Sequence, residues 1–379
     1  MKSGERRHAE IVGAGFAGLT AACALAQRGW SVRVHERGRE LRTAGSGIYI
    51  YENGLRVLEA VGAYGEAVAG ANLARTREVR DHRDRLVSVH SWDSGTGNRV
   101  FSIVRQNVIA ARAAAARRAG AEIVTDSEGI AAEAAGAVVL ADGRRLAADL
   151  VVAADGSNSR LRDSLKLLAV RRELPDGCIR LLIEATAAER AQAGERRTIE
   201  YWSGTRRLVY TPCSAEAIYI ALTMLDRDEA AKRLPVEQVE WRRSFPALAP
   251  LIGRLGAAGR YDRFELIKLS RWSAGRVAVI GDAAHALPPN IGQGGGCAMM
   301  NALSLAVHLD RGADVGAALA AWEQNERPLT EHTQRVSLLY GLPTTWPPVL
   351  RTAAFAIAGR SKWLTRQRSR TANHRPTGT

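Results

Sequence analysis

Ile11-Val12-Gly13-Ala14-Gly15-Phe16-Ala17-Gly18 is the stretch on which the fold of this 379-residue chain turns. The residues before it, Ala9 to Val12, form a short apolar run suited to a buried strand. Phe16 to Arg28 has the composition of a helix, closed by Gly29, and Ser31 to His35 reads as a second strand. The unit is strand, glycine turn, helix, strand, and it ends on an acidic residue, Glu36. Such a unit binds a dinucleotide for physical reasons. Gly13 permits the tight turn, Gly15 lets the backbone approach a pyrophosphate, and Gly18 lets the helix pack on the sheet. The helix N-terminus adds unpaired N–H groups and a positive dipole end. The Glu36 carboxylate suits the two ribose hydroxyls of an adenosine and would repel a 2′-phosphate. Arg37, next to it, is counted with the same site.

A second signature lies about 250 residues later. Val277 to Ile280 is another buried-strand run, followed by Gly281-Asp282-Ala283-Ala284-His285 and then by Pro289-Asn290-Ile291-Gly292-Gln293-Gly294-Gly295. Asp282 is placed to hold a sugar-chain hydroxyl. The glycines open a helix whose N–H groups would stabilise negative charge on a reduced isoalloxazine ring. One glycine turn marks some dinucleotide; the two together, in this order, point to FAD. Between them Asp155-Gly156-Ser157-Asn158-Ser159-Arg160 again follows an apolar strand, and Arg105 opens a helix over Val108 to Ala119. His285 is a tempting base, but its place beside the flavin turn reads better as packing.

The rest of the chain organises around these motifs. Asn53 to Val61 reads as helical. Ala137–Leu140 and Leu150–Ala154 read as two strands joined by the turn Asp142-Gly143. Between residues 178 and 224 come four short runs rich in Ile, Val, Tyr and Thr (178–184, 198–202, 206–211 and 217–224). They are expected to form an antiparallel sheet apart from the doubly wound part. Met299 to Val336 is expected to be helical until Pro343, Pro347 and Pro348, and the last ten residues to be disordered. The expected fold class is α/β, a Rossmann-like FAD domain with an inserted antiparallel-sheet substrate domain. The FAD domain takes residues 1–75, 100–172 and 270–340. The substrate sheet takes 76–99 and 173–269, and 341–379 form a C-terminal helix and basic tail.

Composition narrows the class. The chain is 46% hydrophobic and 24% charged, with a net charge of +14. No Asp or Glu follows residue 350, whereas seven Lys or Arg residues do. A basic surface steers anions, but no nucleic-acid-binding module accompanies it, and no apolar run is long enough to span a membrane. Cys23, Cys178, Cys213 and Cys297 are scattered without metal-ligand spacing. That argues against a disulfide framework or a metal site and fits a reducing cytoplasm. A monomer or homodimer is expected, without nucleic-acid or membrane partners.

The three motifs in order, with Arg105 between them, resemble the single-component flavin-dependent aromatic hydroxylases of the para-hydroxybenzoate hydroxylase fold. The likeness spans roughly residues 8–340. It implies that Gly13, Gly15, Ala17, Gly18 and Glu36 bind the ADP half of FAD and that Arg105 contacts its pyrophosphate side. Asp282, Pro289, Gly292, Gly294 and Gly295 would hold the ribityl chain and flavin, and Asp155 and Gly156 would serve both FAD and NAD(P)H. Within this family the segment Gly45 to Leu58, together with Asp176–Leu181, Arg207–Cys213, Ile218-Tyr219 and Gly296–Met299, resembles the 2-methyl-3-hydroxypyridine-5-carboxylate oxygenase branch. That likeness implies substrate contact by Tyr49, Arg180, Arg207 and Tyr219, with Arg77 standing where a further tyrosine would align.

On the residues alone, Arg180 shares a strand face with Leu182, and a guanidinium there needs an anionic partner or a water-filled cavity. Tyr49 or Tyr219 is a candidate to accept or relay a ring-hydroxyl proton. The function implied is an FAD-dependent monooxygenase that uses NAD(P)H and dioxygen. It would hydroxylate, with or without ring opening, a small anionic hydroxylated aromatic or N-heteroaromatic compound. Two alternatives stay open at this point: an FAD-linked oxidase or dehydrogenase without oxygen insertion, and a non-catalytic flavoprotein scaffold.

Overall fold

A computed structural model describes residues 6–41, 46–92, 98–192, 196–256, 259–312 and 314–379. Gly45, part of the segment quoted above, lies outside the described residues.

The first motif lies in a six-stranded sheet in the order Ser273–Ala274, Val277–Val279, Leu150–Ala153, His8–Val12, Ser31–His35 and Glu122–Val124. Its neighbours run parallel except at the Ser273–Ala274 edge. Leu150–Ala153 and Val277–Val279 are buried throughout, as expected for parallel strands covered on both faces. The helix Phe16–Ala26 is buried along nearly its whole length against this sheet and the long helix Gly294–Arg311. All three cofactor motifs therefore follow strands of one sheet, at the carboxyl ends where open α/β sheets bind ligands.

The second large sheet has seven strands. Their order is Arg260–Leu269, Leu168–Glu184, Ala217–Leu225, Arg206–Pro212, Arg197–Ser203, Thr76–Asp81 and Leu86–Ser91. Residues opposite one another across the ladder share a face, and alternate residues point to the other. One face carries Ile179, Leu181, Ile199, Leu208, Ile220 and Leu222, packed under Trp241 and Phe245, which stack at 6.0 Å. The opposite face carries the rows Trp202–Arg207–Thr223–Cys178 and Glu200–Val209–Ala221–Arg180. Beside them the row Thr211–Tyr219–Leu182 continues the same face. A small apolar cluster containing Cys178, Cys213, Tyr219 and Phe264 joins this face to Val104 and Leu338.

Four expectations change. The turn Asp142-Gly143 joins Ala137–Leu140 to Arg145–Ala147, whereas Leu150–Ala153 belongs to the parallel sheet. A short extra strand sits between the two runs that sequence reading linked. The large sheet is not wholly antiparallel, because Arg197–Ser203 pairs in parallel with Thr76–Asp81, a strand that arrives from far upstream. The C-terminal helical region divides into Gly294–Arg311 and Val315–Gly341, the second with Pro328 inside it. The last ten residues are ordered on that helix. Thr371 bonds Thr333 at 2.6 Å, Thr377 bonds Glu326 at 3.0 Å, and the Ala372 carbonyl accepts the Asn53 N–H at 3.2 Å. The tail is polar because it caps buried polar groups, which composition alone reads as disorder. No described helix is long and apolar enough to cross a membrane.

Candidate active site

Backbone builds the cofactor end. Gly13 has φ +103°, and a Cβ there would collide with the Ala154 carbonyl. A Cβ on Gly18 would run into the Gly13 carbonyl, whereas one on Gly15 would meet nothing within 4 Å. Gly13 and Gly18 are therefore fixed by the protein's own packing, while Gly15 faces open space at the N-terminus of Phe16–Ala26. No side chain caps that terminus, so its N–H groups point into the space that a pyrophosphate would fill. Ala17 packs beside the second signature, because a Cβ on Gly281 (φ +65°) would lie 2.9 Å from the Ala17 methyl.

Glu36 is held to the same turn. Its carboxylate accepts the Ala14 N–H at 3.0 Å and the Gly38 N–H at 3.1 Å. Arg37 is exposed and borders a cavity of about 250 Å³ with Asp126, Ser127 and Asp142. Arg105 lies over the Phe16 ring at 4.9 Å, next to the glycine turn. Asp155 accepts the Ser159 hydroxyl at 2.5 Å and the Leu161 N–H at 3.3 Å, and burial pushes its carboxyl up. It orders the turn that carries Gly156 (φ +89°), whose missing Cβ faces open space.

At the flavin end Asp282 is exposed on the first residue of the short helix Asp282–His285. Pro289 opens a 3-10 turn that ends at Gly292, φ +66°. The turn is pinned from behind, since Asn290 donates to the Ser337 carbonyl at 3.0 Å and Ser337 donates to the Pro288 carbonyl at 2.5 Å. Gly294 and Gly295 then start Gly294–Arg311 with no side-chain cap and no acidic residue in the first turn. The nearest atoms to a Cβ on Gly295 would be Ile48 at 3.1 Å and Phe16 at 3.9 Å. The two uncapped helix N-termini thus lie side by side, and the residues present fit a dinucleotide with a flavin at one end. His285 is buried, 5.3 Å from Trp272 ring to ring, with Nε2 3.0 Å from the Asn301 amide. Burial pulls it down to about 4, so it is a neutral packing residue at neutral pH.

Tyr49 connects this end to the large sheet. It lies 3.8 Å from the Cβ position of Gly292, and its hydroxyl is hydrogen bonded to Thr211. Tyr219 stands on the neighbouring strand, so close to Gly47 that a Cβ there would lie 2.5 Å from its own. Burial raises both phenols well above their ordinary range, against hydrogen bonds from Thr211 and Arg180. They are neutral hydrogen-bonding groups, suited to relaying a proton and unsuited to being a standing base. Arg180 donates to Asp262 at 2.5 Å.

Arg207 is buried, 5.3 Å above Trp202, and donates to Glu200 at 3.2 Å and Thr223 at 3.4 Å. Arg77 donates to the other oxygen of Glu200 and to Tyr340 at 3.1 Å. Sequence reading named Arg77, Arg180 and Arg207 but missed Glu200, Asp262 and Thr211. The available signal was strand alternation: Thr198, Glu200 and Trp202 fall on one face, an acidic residue among large ones.

The FAD binding domain family matches residues 7–333. The chain belongs to that family. A 2-heptyl-3-hydroxy-4(1H)-quinolone synthase of Mycobacteroides abscessus is 42% identical over 373 residues, 96% of each chain. A Rhodococcus erythropolis protein to which the same activity is provisionally ascribed is 42% identical over 376 residues, 99% of this chain and 98% of the other. Among solved structures, 2-methyl-3-hydroxypyridine-5-carboxylic acid oxygenase superposes with a TM-score of 0.87 at 37% identity, covering 97% of this chain and 96% of its own. The protein is an FAD-dependent aromatic monooxygenase, with NAD(P)H as co-substrate, acting on aromatic or heteroaromatic rings.

Proposed function

We propose that this monooxygenase hydroxylates an oxygenated N-heteroaromatic ring, with a 4(1H)-quinolone as the favoured class. The ring would lie between the Gly292–Gly295 turn and the polar face of the large sheet. In this reading Gly13, Gly15, Ala17, Gly18, Glu36 and Arg37 hold the ADP half, and Arg105 and Asp155 flank the pyrophosphate. Asp282, Pro289, Gly292, Gly294 and Gly295 hold the ribityl chain and flavin. Tyr49, Arg180, Arg207 and Tyr219 face the substrate. Residues 76–99 and 173–269 then act as the substrate-binding part, 341–379 as a C-terminal extension, and the rest as the FAD-binding part. A cytoplasmic monomer or homodimer is the accompanying expectation.

Bound FAD supplies electron transfer from NAD(P)H and activation of dioxygen. The chain's part is placement and electrostatics. Tyr49 and Tyr219 hydrogen bond the ring oxygen as neutral phenols, and the guanidinium groups favour its ionised, more electron-rich form. The apolar cluster around Cys178, Cys213 and Phe264 excludes water behind the ring.

The observation that carries this reading is Tyr49, whose Cβ lies 3.8 Å from the Cβ position of Gly292 while its hydroxyl bonds Thr211 of the large sheet. The likeness to the quinolone synthases over nearly the whole chain favours the ring class. A second reading, oxygenation of a hydroxypyridine carboxylate with ring opening, is favoured by the structural neighbour. The test is NADH or NADPH consumption with 2-heptyl-4(1H)-quinolone and with the pyridine carboxylate, under labelled dioxygen, followed by product mass spectrometry. One labelled oxygen in the quinolone product supports the proposal. Reduction with no label in any product would instead mark an oxidase.

A further inference from the structure

The site's two inner arginines are already committed to each other's partner. Glu200 lies on the cavity face of the large sheet with 4% of its side chain exposed, and one carboxylate oxygen meets Arg77 while the other meets Arg207. Burial by itself would raise this carboxyl, but Arg77 and Arg207 outweigh it and hold it at about 2, fully ionised. Each guanidinium is fixed a second time, Arg77 by Tyr340 and Arg207 by Thr223 and the Trp202 ring. Arg180, across the same face, is neutralised by Asp262. Two guanidinium charges against one carboxylate leave a single positive charge in the Arg77–Glu200–Arg207 group. A ring carboxylate entering here would have to displace Glu200 or lie against it, and a carboxylate brought beside another in a desolvated site is strongly disfavoured.

We propose that Glu200 is the specificity-determining residue of this cavity. It occupies the arginines that would otherwise take a substrate carboxylate, and it restricts the site to rings whose only anionic group is the ring oxygen. The inference rests on the reading of this sheet face as the substrate cavity, and it narrows the substrate class within that reading.

Flavin difference spectra on the FAD-loaded enzyme test it with three probes. These are 2-heptyl-4(1H)-quinolone, 2-methyl-3-hydroxypyridine, and the same pyridine carrying its 5-carboxylate. The wild-type enzyme should bind the carboxylate-free pyridine at least tenfold more tightly than the carboxylate. Glu200→Gln keeps the shape and removes the charge, so it should reverse that preference by at least tenfold. Should this variant fail to retain FAD, Arg77→Met combined with Glu200→Gln removes one charge of each sign and leaves Arg207 free. That double variant should gain the carboxylate in the same way. Equal wild-type binding of the two pyridines, or no gain of carboxylate binding in a folded FAD-loaded variant, overturns the role of Glu200. Quinolone binding and turnover in the wild type keep the cavity reading apart from that result. If no ring probe perturbs the flavin in any form, the cavity reading falls and the inference with it.

Discussion

The cofactor end and the substrate face of this site are held by different parts of the polymer. At the proposed cofactor end the contacts on offer come from backbone: two uncapped helix N-termini, a left-handed Gly292, and glycines whose missing side chains leave either room or no room. On the proposed substrate face they come from long charged side chains on strands, and two of the three arginines are tied to a partner distant in sequence. Arg77 and Glu200 are 123 residues apart, and Arg180 and Asp262 are 82 apart. A site made of backbone is specified by a few small residues at fixed spacing. A site made of paired side chains is specified by strand register, and a single substitution can rewrite it.

The largest expected effects test the backbone half. Gly18→Ala puts a methyl into the Gly13 carbonyl, so the turn must open. The loss of stability should be on the order of 4 kcal/mol or more, seen as missing soluble yellow protein or a collapsed melting temperature. Gly15→Ala has open space around it and should leave the apoprotein's melting curve near wild type. Its FAD Kd should nevertheless rise about tenfold or more, corresponding to about 1.4 kcal/mol. Unchanged FAD affinity in Gly15→Ala would place the pyrophosphate elsewhere.

Acid titration separates the two halves by sign and window. His285, at the cofactor end, has its folded pKa lowered from 6.5 to about 4. The unfolded chain therefore binds the extra proton, and stability falls as pH drops from about 6.5 to about 4, by roughly 3 kcal/mol in all. Glu200, on the substrate face, is lowered from 4.5 to about 2. Its stabilisation is present above 4.5 and is lost only as pH falls toward 2. Chemical denaturation of wild type and His285→Gln between pH 7 and 5 checks the first window. The variant should show a shallower loss; identical slopes would mean that His90, also lowered to about 4, accounts for it.

Glu36→Ala comes next. It removes the proposed charged acceptor for the ribose hydroxyls, worth roughly 1.5–3 kcal/mol of FAD binding, and it also frees the Ala14 and Gly38 N–H groups. Titration of apoenzyme with FAD should show the weakening without a change in substrate preference once FAD saturates. Wild-type FAD affinity in this variant would reduce Glu36 to a turn-forming residue.

These two halves were unequally legible in the sequence. Gly13, Gly281 and Gly292 announced their turns because each takes a positive φ that favours glycine, and Gly15 and Gly18 did so by their fixed spacing from Gly13. The segments between 178 and 224 were recognisable as strands by composition. What escaped was pairing at a distance. The strand Thr76–Asp81 joins the sheet in parallel and brings Arg77 beside Glu200, a juxtaposition that no local pattern encodes. The same holds for the last ten residues, whose polar composition conceals that Thr371 and Thr377 complete buried hydrogen bonds on the helix Val315–Gly341. Arg180 and Arg207 were legible as guanidinium groups in need of anions. That the anions are Asp262 and Glu200 required the register.

The smallest expected effect is the most discriminating between the halves. Arg207→Met keeps a long apolar stem over Trp202 and removes one guanidinium from the group that shares Glu200. Arg77 remains to hold that carboxylate ionised, so the fold should persist, but the Arg77–Glu200 pair left behind carries no net charge. Binding of 2-heptyl-4(1H)-quinolone should weaken by about tenfold, or about 1.4 kcal/mol, with the larger loss where the ring oxygen is ionised. FAD affinity should stay at the wild-type value, because no cofactor group proposed above touches Arg207 or Glu200. Parallel titrations of FAD into apoenzyme and of quinolone into holoenzyme read the two quantities separately. A fall in both would mean that the substrate sheet helps to shape the cofactor turn through Tyr49 and Gly292, and that backbone and side-chain halves are one mechanical unit. A fall in neither would remove Arg207 from the cavity and leave Glu200 paired with it for stability alone.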